Sequence, residues 1–289
     1  MKKVMFVAAA LTSLVITVGC GAPNQTSSQV NPSTSPIQGA QSVTTPAPAV
    51  ALKMQHISLT ILPGARLGPD GKLHDTFTTP DFTVVQGVPV QLSIYNYDSG
   101  AHSLTSSDLS LNVQAKGSPK DGVPGITTVT FTPSKTGDFN WQCIDACDTE
   151  AGGLAMSHPG YMEGTIHVVP YANKQYIDLT IKDGLQYAAA DGKLHDSYSP
   201  ADFTVQAGIP VQVTVENFDQ GSHSFTSADL GVNQIFKAAP KAGQPSVTIF
   251  TFTPASAGSF TWHCVLPCDD PGWAMSHDGY MMGTVTVQS

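Results

Sequence analysis

Two stretches of this 289-residue chain repeat one another so closely that any fold must accommodate the same unit twice. Near the C-terminus runs Phe260-Thr-Trp-His-Cys264-Val-Leu-Pro-Cys268, followed by Trp273-Ala-Met275-Ser-His277-Asp-Gly-Tyr-Met281-Met282-Gly283. Earlier stands Phe139-Asn-Trp-Gln-Cys143-Ile-Asp-Ala-Cys147, followed by Leu154-Ala-Met156-Ser-His158-Pro-Gly-Tyr-Met162-Glu-Gly164. The correspondence reaches well upstream: Asp70-Gly-Lys-Leu-His-Asp75 returns as Asp191-Gly-Lys-Leu-His-Asp196, and Asn96-Tyr-Asp98 as Asn217-Phe-Asp219. The offset is 121 residues from Asp70 through Cys147, and 119 after a two-residue deletion. So long a period marks duplicated domains, since solenoid units run about 20–50 residues.

Within each copy the pattern is that of short strands. Val211-Gln-Val-Thr-Val-Glu-Asn217 alternates apolar and polar, as does Ser246-Val-Thr-Ile-Phe-Thr-Phe252, and Gly283-Thr-Val-Thr-Val-Gln288 closes the chain in the same way. Turn residues separate these runs, and no stretch carries a helical period. The expected architecture is all-β: two tandem Greek-key sandwiches, at 51–170 and 171–289. The junction at Tyr171-Ala-Asn-Lys174 is too short for a free linker, so the two domains are expected to pack together.

Upstream, residues 1–20 have a short basic start at Lys2 and Lys3, an apolar run from Val4 to Val18, and then Gly19-Cys20. The run is short for a membrane span, which needs about 20 apolar residues, and suits a secretory signal. Thr17-Val-Gly-Cys20 resembles a bacterial lipoprotein signal, although Thr17 stands where an aliphatic residue is more usual. That resemblance implies lipid on Cys20 and attachment to a membrane. Residues 21–50 contain no charged and no aromatic side chain. They read as a disordered tether with a mean reach of roughly 30 Å. The expected location is therefore extracytoplasmic, at the outer face of the cell membrane or in the periplasm.

The net charge of −9, with no basic cluster, argues against nucleic acid as a partner. Of the five cysteines, one is Cys20 and four form the two Cys-x3-Cys pairs. In an exported chain each pair is either a disulfide or a metal site. Thiolate, thioether and imidazole together select copper ahead of zinc. A disulfide would account for the thiols alone. It would not account for histidines and methionines recurring in register with them.

The candidate ligands are His102, Cys143, Cys147, His158 and Met162 in the first copy, and His223, Cys264, Cys268, His277 and Met281 in the second. One upstream histidine plus a C-terminal loop of Cys, His and Met resembles the cupredoxin family, in which such ligands converge at one end of a β-sandwich. Cys-x3-Cys followed by His and Met further resembles the binuclear CuA domain of cytochrome c oxidase subunit II and nitrous oxide reductase. That resemblance implies bridging thiolates, one histidine per copper, a methionine, and a backbone carbonyl at the positions of Asp145 and Leu266. The loop departs from the CuA pattern: His follows the second Cys after ten or eight residues, where that pattern has three. A different, mononuclear centre of type 1 character is thus equally open, with Met156, Met275 and Met282 as rival axial ligands.

Other histidines have blander explanations. His74 and His195 lie in a stretch that reads as a turn, where a bond to the neighbouring Asp suffices. His263, directly before Cys264, resembles a histidine of copper nitrite reductases that binds a catalytic copper, although no His-x-His pair accompanies it. Trp141 and Trp262 read as core. The expected function is electron transfer to and from a redox partner protein, with one copper centre per domain. The alternatives are copper storage or delivery, a nitrite-reductase-like enzyme, and a metal-free disulfide-stapled sandwich.

Overall fold

The computed structural model of the protein describes residues 50–269 and 272–289. The signal segment, Cys20 and the tether up to residue 49 lie outside the described residues. Within them the chain is all-β, and no helix is long and apolar enough to cross a membrane.

The first domain contains β1 (Gln55–Leu67), β2 (Leu73–Thr78), β3 (Phe82–Val85), β4 (Val90–Asn96), β5 (His102–Ser106), β6 (Leu111–Ala115), β7 (Gly125–Phe131), β8 (Gly137–Gln142) and β9 (Glu163–Val169). The second repeats them as β10 (Gln175–Tyr187), β11 (Leu194–Ser199), β12 (Phe203–Gln206), β13 (Val211–Asn217), β14 (His223–Ser227), β15 (Val232–Phe236), β16 (Ser246–Phe252), β17 (Gly258–His263) and β18 (Met282–Gln288). Each domain has a four-stranded sheet, β2-β1-β4-β7 or β11-β10-β13-β16. Its five-stranded companion is β3-β9-β8-β5-β6 or β12-β18-β17-β14-β15. The chain crosses repeatedly between the two sheets. As a result β1 lies parallel to β4, and β3 parallel to β9.

Burial follows the pleat where apolar residues alternate. In β4, Val90, Leu92 and Ile94 face inward while Gln91, Ser93 and Tyr95 are half-buried. β16 departs from the face its alternation suggests. Val247 and Ile249 point outward at 57% and 60% exposure, and Phe252 is buried. The adjacent pair Ile249-Phe250 breaks the two-residue period. Phe250 packs on Phe225, Phe236 and Phe252, so the aromatic side chains select the inner face.

Trp141 and Trp262 are buried in their cores, and their indole N–H groups donate to the carbonyls of Pro80 (2.8 Å) and Ala201 (2.9 Å). Gly164 and Gly283, opposite them on β9 and β18, allow this approach. A Cβ on Gly164 would lie 2.1 Å from the Pro80 oxygen, and one on Gly283 2.4 Å from that of Ala201.

β9 ends at Val169 and β10 starts at Gln175, and the two domains meet through β1 and β10. Their interface joins an apolar cluster of Leu62, Ala65, Tyr97, Leu185 and Phe218 to a buried polar seam. In the seam Thr60 Oγ1 lies 2.8 Å from Ser199 Oγ, and Thr78 pairs with Thr180 through their hydroxyls. Arg66 donates through one nitrogen to both carboxylate oxygens of Glu216, each at 2.9 Å.

Candidate metal centre

The order of strands brings one end of β5 beside one end of β8. Thr105 pairs with Gln142, the residue before Cys143, and the Cys143 N–H donates to the Met162 carbonyl at 2.8 Å. An upstream histidine, the Cys-x3-Cys loop and the start of β9 therefore converge, although 60 residues separate His102 from Met162. In the second domain β14, β17 and β18 do the same, with Cys264 N–H on the Met281 carbonyl at 2.8 Å.

The ligand atoms of His102, Cys143 and Cys147 lie within 4.8 Å of one another, as do those of His223, Cys264 and Cys268, and all six residues are buried. His102 Nδ1 is 3.0 Å from Cys147 Sγ and 4.0 Å from Cys143 Sγ. His223 Nδ1 is 3.1 Å from Cys268 Sγ. The four cysteines are free, and Cys264 and Cys268 stand 2.8 Å apart, beyond the disulfide length of about 2.05 Å.

Each histidine is oriented from behind. His102 Nε2 donates to Asp98 at 2.7 Å and His223 Nε2 to Asp219 at 2.6 Å, which leaves Nδ1 facing the sulfurs. A carboxylate on the far nitrogen sets the tautomer and ring plane of a metal-binding histidine. Asp98 and Asp219 are themselves held, because their N–H groups donate to Asn96 and Asn217 at 2.9 Å.

The sulfurs receive further support. Ser103 N–H points at Cys143 Sγ (3.4 Å) and Ser224 N–H at Cys264 Sγ (3.3 Å). The Ser103 and Ser224 hydroxyls accept from the N–H of Ile144 and Val265, each at 2.9 Å, fixing the turn after the first cysteine. The carbonyl of Asp145 approaches Cys147 Sγ to 3.2 Å and Cys143 Sγ to 3.8 Å. That of Leu266 approaches Cys268 Sγ to 3.1 Å and Cys264 Sγ to 3.7 Å. Each pocket thus offers an imidazole, two thiols and a carbonyl at one point.

These contacts shape the charge. The partner thiol of Cys147 drives the Cys143 thiol pKa down, against the effect of burial, with His102 and the Ser103 N–H assisting. Cys147 is driven up by the same sharing and by burial. Burial works against a charge on His102, but Asp98 and the Cys143 thiolate outweigh it and raise its pKa to about 9. His223 is raised to about 9 by the equivalent balance.

The remaining sequence candidates fall in two places. Met162 and Met281 are fully buried in the cores that contain the cysteines. Met156 and Met275 are half-buried against the same cores, and Met282 is half-buried at the start of β18. His158 and His277 are not brought to the cysteines. Both are exposed beyond the short 3-10 helices Leu154–Met156 and Trp273–Ser276. His158 Nδ1 contacts the Leu154 carbonyl at 3.0 Å, and His277 Nδ1 the Trp273 carbonyl at 2.8 Å, its ring stacked on Trp273 at 3.6 Å. The extra residues after the second cysteine form that helical turn, which directs the histidine outward. His263 is exposed at the end of β17 and belongs to neither group.

His74 and His195 sit on β2 and β11, not in a turn, and both are buried. Each is held by two carboxylates: His74 by Asp70 (2.9 Å) and Asp148 (2.8 Å), His195 by Asp191 (2.8 Å) and Asp269 (3.0 Å). Asp148 and Asp269 directly follow the second cysteines, so these histidines clamp the ligand loops. The immediate sequence neighbour Asp75 serves differently, accepting from the N–H groups of Asp148 (3.0 Å) and Gly64 (2.9 Å). Sequence reasoning assigned no role to Asp98 and Asp219. Their signal was an acid four residues before the histidine, repeated in both copies.

Residues 161–272 match the cupredoxin-like domain, a segment that begins one residue before Met162 and stops short of His277 and Met281. No curated protein matches the sequence. Among solved structures, the chain is similar to the Cu-containing nitrite reductase (NirK) from Thermus scotoductus SA-01, at 16% identity over 81% of this chain and 62% of that one, with a TM-score of 0.30. It thus spans less than two thirds of that protein. A multicopper oxidase gives 13% identity over 81% of this chain and 89% of that one, with a TM-score of 0.29. The blue copper oxidase from Nitrosomonas europaea gives 12% identity over 81% and 86%, with a TM-score of 0.29. Copper is the cofactor that the cupredoxin-like domain and the two His/Cys/Cys groups support.

Proposed function

We propose that the protein is an extracytoplasmic copper-binding electron carrier with one mononuclear centre per domain, attached to a membrane through lipid on Cys20 and exchanging electrons with a redox partner protein. The observation that carries this reading is the duplicated convergence of one carboxylate-oriented imidazole with two buried thiols. In the first domain His102, Cys143 and Cys147 would hold the metal, with the Asp145 carbonyl and Met162 nearby. In the second, His223, Cys264 and Cys268 would do so, with the Leu266 carbonyl and Met281. Bound copper supplies a one-electron couple. The protein's own part is to keep the donors in place in both oxidation states. Asp98 and Asp219 hold the imidazoles, and Ser103 and Ser224 hold the first thiols and the turns after them. Donors buried in this way have little room to rearrange, which suits electron exchange.

The CuA resemblance would require His158 and His277 at the centres. Their outward placement favours a mononuclear reading. Copper content and spectra of the chain from residue 51 test this. Two coppers with a mononuclear Cu(II)–thiolate signal and reversible reduction are expected. Four coppers with a mixed-valence signal would replace it with CuA, and four thiols locked as disulfides without copper would overturn both.

A second reading, copper storage or delivery, draws on a specific feature. A cleft of about 710 Å³ opens beside the first centre, lined by His102 and Cys147 together with Asp75, Asp98, Asp148 and Glu150. Acidic walls leading to a buried thiol and imidazole suit passage of a soft monovalent cation. Rapid transfer of Cu(I) to a competing chelator, without a reversible Cu(II) state, would favour that role.

A further inference from the structure

The residue before each buried methionine is a tyrosine whose hydroxyl reaches the end of the long first strand of its own domain. Tyr161 donates to the Leu67 carbonyl at 2.9 Å, and Tyr280 to the Tyr187 carbonyl at 3.2 Å. The N–H of each acceptor residue is taken by the other domain. Leu67 N–H donates to Gly243 at 2.8 Å, and Tyr187 N–H donates to Gly122 at 2.9 Å.

Gly122 and Gly243 lie in the β6–β7 and β15–β16 loops, which are bonded to the loops that carry the acid behind each histidine. Ser118 N–H donates to the Asp98 carbonyl, and Ala239 N–H to that of Asp219, both at 2.7 Å. Asp98 and Asp219 in turn hold His102 and His223. The pattern is reciprocal: the methionine loop of one domain is linked, through the end of its own first strand, to the loop that backs the acid and histidine of the other.

The seat is tight. A Cβ on Gly122 would lie 2.6 Å from the Tyr187 nitrogen, and one on Gly243 2.7 Å from that of Leu67. Both glycines have φ values, +70° and +75°, that side chains rarely adopt. Lys120 adds a cation–π contact 3.4 Å over the Tyr187 ring.

We infer that Tyr161 and Tyr280 are positioning residues that couple the two metal centres, so that filling one centre preorganises the histidine of the other. This rests on the reading of the clusters as copper sites. Copper on Cys264, whose N–H is bonded to the Met281 carbonyl, would hold the start of β18 more firmly and with it Tyr280. Tyr280 fixes the backbone of Tyr187 through its carbonyl, and the N–H of the same residue seats Gly122 and the loop that backs Asp98. The first centre is then met in its binding arrangement and pays less ordering entropy. The coupling must run equally in the opposite direction.

The test uses the chain from residue 51 with Cu(I), titrated against a chromophoric Cu(I) chelator. The second copper is expected to bind at least about fivefold more tightly than independent sites allow, the low end of common coupling factors. The Tyr161→Phe/Tyr280→Phe chain is expected to titrate as two independent sites. Gly122→Ala, which acts from the opposite side of the same contact, is expected to do so as well. Independent titration by the unaltered chain, or coupling that survives in both variants, would overturn the inference. The imidazole NMR resonances of the metal-free chain give a second readout: Tyr280→Phe should shift His102, in the other domain, while His56, near the start of β1 and bonded to Gln91 at 2.8 Å, stays fixed. If no copper binds, the copper reading fails by itself, and an unmoved His102 would then independently dispose of the interdomain seat.

Discussion

Nδ1 of His74 lies 2.8 Å from a carboxylate oxygen of Asp148, both side chains almost wholly buried, and Asp148 is the residue after Cys147. One imidazole thus ties the ligand loop to β2, and the same tie recurs between His195 and Asp269.

Replacing His74 by alanine leaves Asp148 buried without its partner, and loss of one member of such a pair costs about 3–5 kcal/mol. The expected result is lower stability in urea unfolding, together with copper affinity at the first centre reduced about 10–100-fold. Burial opposes the charge on His74, but Asp70 and Asp148 outweigh it and its pKa is raised. The stabilisation is therefore complete below the unfolded value of about 6.5 and is lost as pH rises through the raised folded value. Equal stability of variant and parent at pH 6 would refute the clamp.

Arg66 holds Glu216, whose side chain is only 7% exposed, across the domain interface. Arg66→Ala is expected to destabilise the chain by about 3–5 kcal/mol through the stranded carboxylate. Adding Glu216→Gln should recover part of that loss. A double variant no more stable than Arg66→Ala in the same unfolding assay would show that the stranded charge is not the cause.

Asp178 is buried at the same interface, and one of its oxygens has no hydrogen-bond partner among the described residues. Burial pushes its pKa up to about 7, with the Glu216 charge adding to the effect. A raised carboxyl binds its proton in the folded state, so its contribution is best at low pH. Stability then falls as pH rises from about 4 to about 7 and levels off above that. The span amounts to an order of 4 kcal/mol. Asp178→Asn should remove this slope, leaving the variant relatively more stable at pH 8 than at pH 4. A stability difference between variant and parent that does not change with pH would contradict it.

His102→Ala and His223→Ala are each expected to reduce copper content by one per chain. His158→Ala and His277→Ala are expected to retain two, because their imidazoles face solvent. Metal analysis after gel filtration separates the outcomes. Loss of copper on removing His158 would show that its loop folds back onto the centre when metal binds.

The duplication, the all-β class and the gathering of Cys143, Cys147, Cys264 and Cys268 with an upstream histidine were legible in the amino-acid order. Those properties depend on local alternation, turn residues and short spacings, which a linear pattern records directly. His74 and Asp148 were not legible as a pair, since 74 residues separate them and it takes the pairing of β1 with β2, with the bonds of Phe77 and Asp75 to the loop, to bring that edge to it. Burial of Phe250 over Ile249 was settled by packing among four phenylalanines on three strands. The direction of His158 was likewise undetermined by spacing, because a ten-residue gap can return to the sulfurs or turn away. The 3-10 turn over Leu154–Met156 turns it away. The sequence alone determined which soft donors exist and that they come twice. Tertiary structure decided which of them meet, because distance in space depends on sheet crossings that no local pattern encodes.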